Sequence, residues 1–576
     1  MPGGGRFVAH AQPGVPGSSR SNKNRPWTCL GLIGPVPTPL DTLCDALAAE
    51  VPAAMARLRI PGAAVGICDA EGIVWSAGFG TTARDGGTPV TPATAFSVQS
   101  TSKLFTATLT LVAVREGLVD LDEPIRSYLP ELTVHSAYEE DPVARITLRH
   151  LLAHTAGFTH EAPLGSNTDP GDGDFDAHCR SIYRTWLRFP VGHHHEYSNL
   201  GIDLAGYALE QTSGTPFAEL ARELLLEPLG LTRSTFDPGA IEADADRAIG
   251  HWRPLEEAGL AAPVAVPMVP SGGLYAGVDD LLRFTSCLLG GGAPPLTPEL
   301  AAEQLRVQFA LPGQRLGYGL GVYVDEWEPG VRVYHHGGSG FGFQAQLCWA
   351  PELGVGVVVL TDTFEQSLPN DLAHSVVARL AGGEARPAAA AEAVATAEEP
   401  RPGSASELVG EYVGRLGAPL RVTTADGGLL VEGEEVRPAR LVDPRTIEVE
   451  GPQPERHRFA AGIAGPATYM LSLRDGTARY RNEAPWGVAS TLDPAHVGTY
   501  AALARGVPLM RFRLAQVGSS PVVQILPSDP DDPPLTVRLA PLEPGLYLSS
   551  TGEVLDLRGP LPTYANIAMT RVEEAA

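Results

Sequence analysis

Ser100-Thr101-Ser102-Lys103-Leu104-Phe105 opens a stretch whose spacing predicts a helix as far as Glu116, stopped by Gly117. On a helix, residues i and i+3 share a face. The Lys103 amine can therefore reach the Ser100 hydroxyl. A buried lysine with a depressed pKa can take a proton from serine, whereas arginine stays charged at any working pH. Composition singles this lysine out: Lys23 and Lys103 are the only lysines among 42 basic residues, and all the others are arginine. A chain that uses arginine wherever a positive charge suffices has kept a lysine where an amine can lose its proton.

Two further stretches carry chemistry. Tyr197-Ser198-Asn199 follows Pro190-Val191-Gly192. A phenolate beside a lysine can act as a general base, and an Asn amide can orient it or bind a carbonyl. Tyr480-Arg481-Asn482 and Tyr564-Ala565-Asn566 repeat the pattern, but both lie in a β-rich tail, so position favours Tyr197. The third stretch is His335-His336-Gly337-Gly338-Ser339-Gly340-Phe341-Gly342-Phe343, whose glycines let another backbone approach a strand closely.

In order, Ser100 to Lys103, Tyr197 to Asn199 and His336 to Gly338 resemble the three motifs of the class C β-lactamase-like and penicillin-binding-protein-like serine hydrolases, peptidase family S12. Ile146 to Phe158, Glu227-Pro228-Leu229-Gly230-Leu231 and Ser271-Gly272-Gly273-Leu274-Tyr275 also look like family segments, and the resemblance covers about residues 40–380. It implies that Ser100 is acylated and that Lys103 and Tyr197 share proton transfer. It places Asn199, His336 and Gly338 against substrate, with the backbone N–H groups of Ser100 and Ser339 as the oxyanion hole. Where dedicated class C β-lactamases carry lysine in the third motif, this chain has His336. A neutral imidazole is a poorer partner for a β-lactam carboxylate. That favours a peptidase, amidase or esterase. A His third motif followed by two β-units is also the layout of the D-aminopeptidase-like branch.

The chain of 576 residues divides by periodicity and composition. Residues 1–38 are rich in Gly, Pro and Ser and read as a disordered tail. Residues 39–382 mix strands at both ends with helices between, an α+β pattern, and the resemblance implies the β-lactamase/transpeptidase-like arrangement for them: an antiparallel sheet with helices plus an all-α lobe. Residues 383–406 are Ala, Glu, Pro and Gly and read as a linker. After that the period is two, and Asp426-Gly427 and Asp475-Gly476 mark hairpin turns. Val409-Gly410-Glu411-Tyr412 is echoed by Val497-Gly498-Thr499-Tyr500. The echo divides the C-terminal all-β region into 407–490, a lipocalin-like or small barrel, and 491–576. One longer β-domain with a chance echo is the alternative.

Net charge is −25, which excludes a nucleic-acid partner, since phosphate binding needs a basic face. No apolar run approaches a membrane span. The N-terminus has no signal-like apolar core, so the chain reads as cytoplasmic. The six cysteines are scattered and read as free thiols. His193-His194-His195 beside Tyr197 reads as a site rim rather than a metal centre, and Asp169 to Asp176 as a solvated acidic loop. His150 and His154 read as structural. No Gly-x-Ser-x-Gly occurs, against an α/β-hydrolase. No cofactor or metal is expected. The expected activity is hydrolysis of a small amide, a peptide (including one with D-residues) or an ester through an acyl-enzyme on Ser100. The alternatives are acyl transfer or peptide cyclisation from the same intermediate, and a β-lactamase or non-hydrolytic penicillin-binding sensor. The partner is a small-molecule or peptide substrate, and a homo-oligomer is left open.

Overall fold

The structure is a computed structural model. It describes residues 39–382, apart from 168–173, 258, 311–316 and 365. It also describes 408–572, apart from loops at 414–419, 426–427, 434–435, 444, 452–453, 462–467, 473–477, 483–489, 505, 519 and 528–533. The expected tail and linker, both hairpin turns and most of the acidic loop lie outside the described residues. Of that loop, Asp174 caps a helix by accepting from the Ala177 N–H.

The first helix, Pro39–Leu58, places Leu43, Leu47, Val51 and Met55 on one face at helical spacing, and all four are buried. That face packs on an eight-stranded antiparallel sheet together with helix Leu368–Leu380. From one edge the sheet runs Gly72–Gly80, Gly62–Asp69, Val355–Thr361, Phe343–Ala350, Val331–Gly340, Tyr323–Glu328, Gly317–Tyr318 and Phe309–Ala310. The chain thus leaves after the first hairpin and returns to the same sheet about 230 residues later, with the helical lobe between.

Helix Ser102–Arg115 lies at the heart of that lobe. Every residue from Ser102 to Ala113 is buried, so the helix is covered all round rather than on one face. Its Leu104, Phe105, Leu109 and Leu111 belong to the largest hydrophobic cluster, which also takes in Leu200, Leu204, Leu282 and Phe284. Each such side chain contributes about 1.5–3 kcal/mol when fully buried. The N-terminal end of this helix is therefore among the firmest places in the molecule to fix a reactive group.

The C-terminal region is all β. Eight strands from Gly410–Val413 to Ala478–Asn482 close into a barrel, and a separate nine-stranded sheet runs from Gly498–Ala504 to Thr570–Arg571. The sequence echo has a structural counterpart. The Tyr412 hydroxyl donates to the Leu408 carbonyl at 2.9 Å, and the Tyr500 hydroxyl donates to the His496 carbonyl at the same distance. A side chain at Gly410 would strike Arg481, and one at Gly498 would strike Arg571. Both arginines stand on the strand that closes the unit against its first strand.

Candidate active site

Ser100 sits in a single 3-10 turn, Gln99–Thr101, that leads directly into the buried helix. Gln99, immediately before it, has φ +49°, a left-handed conformation that costs energy in a non-glycine residue. The bend is held from several sides. The Gln99 amide donates to Ser97 Oγ at 2.7 Å, Ser102 Oγ donates to the Gln99 carbonyl at 2.5 Å, and Thr101 Oγ1 donates to the His336 carbonyl at 3.2 Å. The strain lifts Ser100 out of the core to the floor of a cleft of about 400 Å³.

Lys103 lies beneath it, fully buried. Its Nζ donates to Ser100 Oγ at 3.0 Å and to the Ser271 carbonyl at 2.8 Å, and stands 4.9 Å from the centre of the Tyr197 ring. Burial pushes its pKa down to about 7, against the opposing pull of Asp203 and Glu161. The Ser271 carbonyl is itself fixed. Asp203, wholly buried, accepts from the Ser271 N–H and hydroxyl, both at 2.9 Å, and lies 3.1 Å from His178 Nε2. His178 Nδ1 meets the Leu164 carbonyl at 2.5 Å. A ring that donates at both nitrogens is an imidazolium, and His178 is raised by Asp203 although burial opposes it.

Tyr197 lines the cleft beside Ser100. It precedes helix Asn199–Ser213, whose cap is Ser198: the Ser198 hydroxyl accepts from the Gly201 N–H and donates to the Thr159 carbonyl. Behind the Tyr197 ring runs a chain of hydrogen bonds whose direction is set at both ends by the backbone. The Ser198 N–H can only donate, and it meets His154 Nδ1 at 3.2 Å. His154 Nε2 therefore carries hydrogen and donates to the Tyr318 hydroxyl at 3.1 Å. Tyr318 in turn donates to His336 Nε2 at 3.3 Å, and His336 Nδ1 donates to the Gly337 carbonyl at 2.7 Å. Both imidazoles are thereby neutral. Their pKa values agree: burial holds His154 well below its ordinary value and His336 at about 3.

The structure brings Ser100, Lys103, Tyr197, Gly338 and Ser339 together but turns two expected substrate contacts inward. Asn199 is 3 % exposed and does not line the cleft; its amide donates to Glu161 Oε1 at 3.2 Å, and its Oδ1 is buried without a partner. His336 is 1 % exposed and faces Tyr318 rather than the cleft. Its neighbours on the strand, His335 and Gly337, line the cleft instead.

The pairing of Tyr323–Glu328 with Val331–Gly340 ends at Tyr323↔His335. Beyond that point the strand edge at residues 337–340 faces the Ser100 turn. Contact there is so close that a Cβ on Gly338 would stand 1.9 Å from the Val98 carbonyl oxygen. Gly338→Ala should therefore displace Val98 and the serine turn. We expect a loss of at least about 1–3 kcal/mol in thermal unfolding, with slower labelling of Ser100 by a fluorophosphonate.

Several residues around the site escaped sequence reasoning. Asp203 left one signal, a carboxylate at i+4 from Asn199 inside an apolar helical run. Glu161 is buried; burial pushes it up, but His160, 2.7 Å away, and the Asn199 amide hold it below the ordinary carboxylate range. The histidine run does not converge: His194 Nδ1 bonds the Tyr469 hydroxyl of the barrel at 2.6 Å, while His195 stacks on Phe309. Among the described residues no group of three His, Cys, Asp or Glu could hold a metal ion. None of the helices described there is long and apolar enough to cross a membrane.

An antiparallel sheet with a helical lobe inserted between its strands, and a Ser–Lys pair at the head of the lobe's buried helix, is the β-lactamase/transpeptidase arrangement. The family model described as Beta-lactamase matches residues 47–381, and the chain belongs to that family. Esterase EstB of Burkholderia gladioli is 26% identical over 384 residues, 58% of this chain and 95% of its own length. Penicillin-binding protein 4 of Amycolatopsis lactamdurans is 29% identical over 382 residues, 63% of this chain and 95% of its own. Among solved structures, the octameric penicillin-binding protein homologue from Pyrococcus abyssi shares the fold with a TM-score of 0.51 and 21% identity, covering 76% of this chain and 99% of that one. The chain is a serine hydrolase of the β-lactamase fold.

Proposed function

We propose that the chain hydrolyses a small uncharged amide, peptide or ester through an acyl-enzyme on Ser100. The observation that carries this reading is Lys103 Nζ, 3.0 Å from Ser100 Oγ and shifted by burial to a pKa of about 7. As a neutral amine it takes the Ser100 proton while Oγ forms the bond to the substrate carbonyl carbon. The negative charge on the carbonyl oxygen falls between the N–H groups of Ser100 and Ser339. Collapse of the tetrahedral intermediate expels the amine or alcohol, which receives a proton through Tyr197 and Lys103. Water then attacks the acyl-enzyme in the reverse sense and releases the acid.

The lack of charge favours amides and esters over free carboxylates. Among the described residues lining the cleft there is no Lys, Arg, Asp or Glu. His336, the counterpart of the third-motif lysine, is neutral and buried. A carboxylate entering here would be desolvated without a cation to meet it.

Fluorophosphonate labelling followed by intact mass should give one adduct, on Ser100, with turnover of p-nitrophenyl esters or aminoacyl p-nitroanilides. An adduct elsewhere would overturn the reading. The pH profile follows from Lys103. The amine is the active form, so the rate of Ser100 labelling should rise through about pH 7 and level off above it. A rate that is flat from pH 5 to 9 would remove Lys103 as the base.

A further inference from the structure

One wall of the cleft is made of rings in unbroken contact. Tyr197, beside Ser100, lies parallel to Tyr323 with centroids 6.5 Å apart and 8° between planes. Tyr323 stacks on His335 at 5.3 Å and 17°. His335 meets Trp327 at 5.1 Å, and Trp327 stacks on His374 at 3.7 Å and 22°. All five line the cleft. They come from four elements: the Tyr197 loop, the two paired strands Tyr323–Glu328 and Val331–Gly340, and helix Leu368–Leu380. The outermost stack is oriented, because Trp327 Nε1 donates to Asp325 Oδ2 at 3.1 Å. Burial keeps His335 at about 3 and lowers His374, so at neutral pH the wall presents uncharged rings.

Beside the rings the lining is polar but neutral, and the Gln346 amide lies 3.4 Å from His335 Nδ1. Gln344 and Gln346 stand on the neighbouring strand, opposite Ser339 and Gly337. The Gln344 amide is held, its Oε1 accepting from the Gln366 N–H at 3.2 Å and its Nε2 donating to Ser339 Oγ at 3.4 Å. A cleft that sets a file of rings next to neutral amides suits a peptide-like group whose side chain lies on the rings and whose backbone meets the amides.

We propose that the ring file is a side-chain subsite for an aromatic or large apolar residue flanking the scissile bond, and that Trp327 and His374 set this preference. The inference rests on Ser100 being the acylated residue. It adds the substrate class: neutral, peptide-like molecules with a ring or bulky apolar group near the reacting carbonyl, and not acidic ones.

The experiment uses the full chain and N-acetyl-X-Z-amides in which X and Z are D- or L-Phe, Ala or Glu. At one of the two positions Phe should exceed Ala about tenfold in kcat/KM and exceed Glu by more. Trp327→Ala and His374→Ala should each bring the Phe to Ala ratio to within about threefold of unity, while Trp327→Phe keeps it. Near-UV circular dichroism and thermal unfolding show whether all three variants fold, and the Phe to Ala ratio, being internal to each variant, is unaffected by any common change in the Ser100 reaction. A wild-type ratio near one at both positions, a preference for Glu, or a ratio unchanged in Trp327→Ala would each overturn the subsite while leaving the Ser100 chemistry standing. Failure of the fluorophosphonate to label Ser100 in the wild type would remove both.

Discussion

Lys103→Arg is expected to lower the rate of Ser100 acylation by about a thousandfold or more while leaving the fold in place. Loss of a positioned general base typically costs 10²- to 10⁴-fold, and a group that acts as a unit with the nucleophile sits at the upper end. The substitution keeps a basic side chain and removes only the ability to be neutral. Lys103 has that ability because burial brings it to about 7. Arginine would remain a cation in the same enclosure, with the Ser271 carbonyl and the Ser100 hydroxyl as acceptors and no lone pair to offer. Near-UV circular dichroism and thermal unfolding report the fold, and fluorophosphonate labelling reports the chemistry. Lys103→Met serves as a second probe, since it fills the enclosure without burying a cation. If either variant acylates within tenfold of wild type, Lys103 is not the proton acceptor.

The contact between Ser100 and Lys103 was legible because it is local. The two are one helical turn apart, so their meeting follows from spacing alone, and the rarity of lysine pointed to the residue that the structure buries beneath Ser100. The strands after residue 408 likewise followed from their period of two, whereas the helix after Ser100 is buried all round and presents no single apolar face. What stayed illegible depends on which side of a covered element faces the cleft. Strand Val331–Gly340 exposes Arg332 on one face and Ser339 on the other, so alternation cannot say whether His335 or His336 lines the site. The structure gives the cleft to His335 and the core to His336. Asn199 starts a helix whose first turn is buried, and its amide reaches Glu161, a residue 38 positions away that no local pattern connects to it. His154 reads as structural because the family resemblance implies it. Its link to His336 runs through Tyr318, 164 residues further on. The ring file is partly of this character: Tyr323, Trp327 and His335 share one hairpin, but Tyr197 and His374 reach it from distant stretches.

Arg188→Met tests a longer connection, between the second β-unit and the tyrosine loop. We expect it to cost about 3 kcal/mol or more at pH 8, the usual range for leaving a buried charge without its partner. The Arg188 side chain is 9% exposed. It lies 3.1 Å from Glu196, next to Tyr197, and 3.0 Å from Glu553, and its Nη2 donates to the Thr551 carbonyl at 2.7 Å. Glu553 also accepts from Thr159 Oγ1 at 2.7 Å, and Asn566 of the same β-unit donates to the Glu161 carbonyl. The segments 157–161 and 188–196, the second leading directly into Tyr197, are thus tied to the C-terminal sheet through the Arg188 cation and through the Thr159 and Asn566 hydrogen bonds. Without it, Glu196 and Glu553 face each other nearly buried. Burial already raises Glu553, and Arg188 is the main group holding it down. Removing Arg188 raises it further, so protonation relieves the variant as pH falls. The difference in unfolding temperature from wild type should therefore be smaller at pH 5 than at pH 8. Adding Glu553→Gln should recover part of the loss at pH 8 and little at pH 5, because it supplies permanently what the proton supplies in acid. If the Arg188→Met penalty is the same at both pH values and Glu553→Gln restores nothing, the two carboxylates are not what Arg188 neutralises. A fall in kcat for p-nitrophenyl esters in Arg188→Met, partly restored with Glu553→Gln, would tie the docking of the β-unit to the placement of Tyr197.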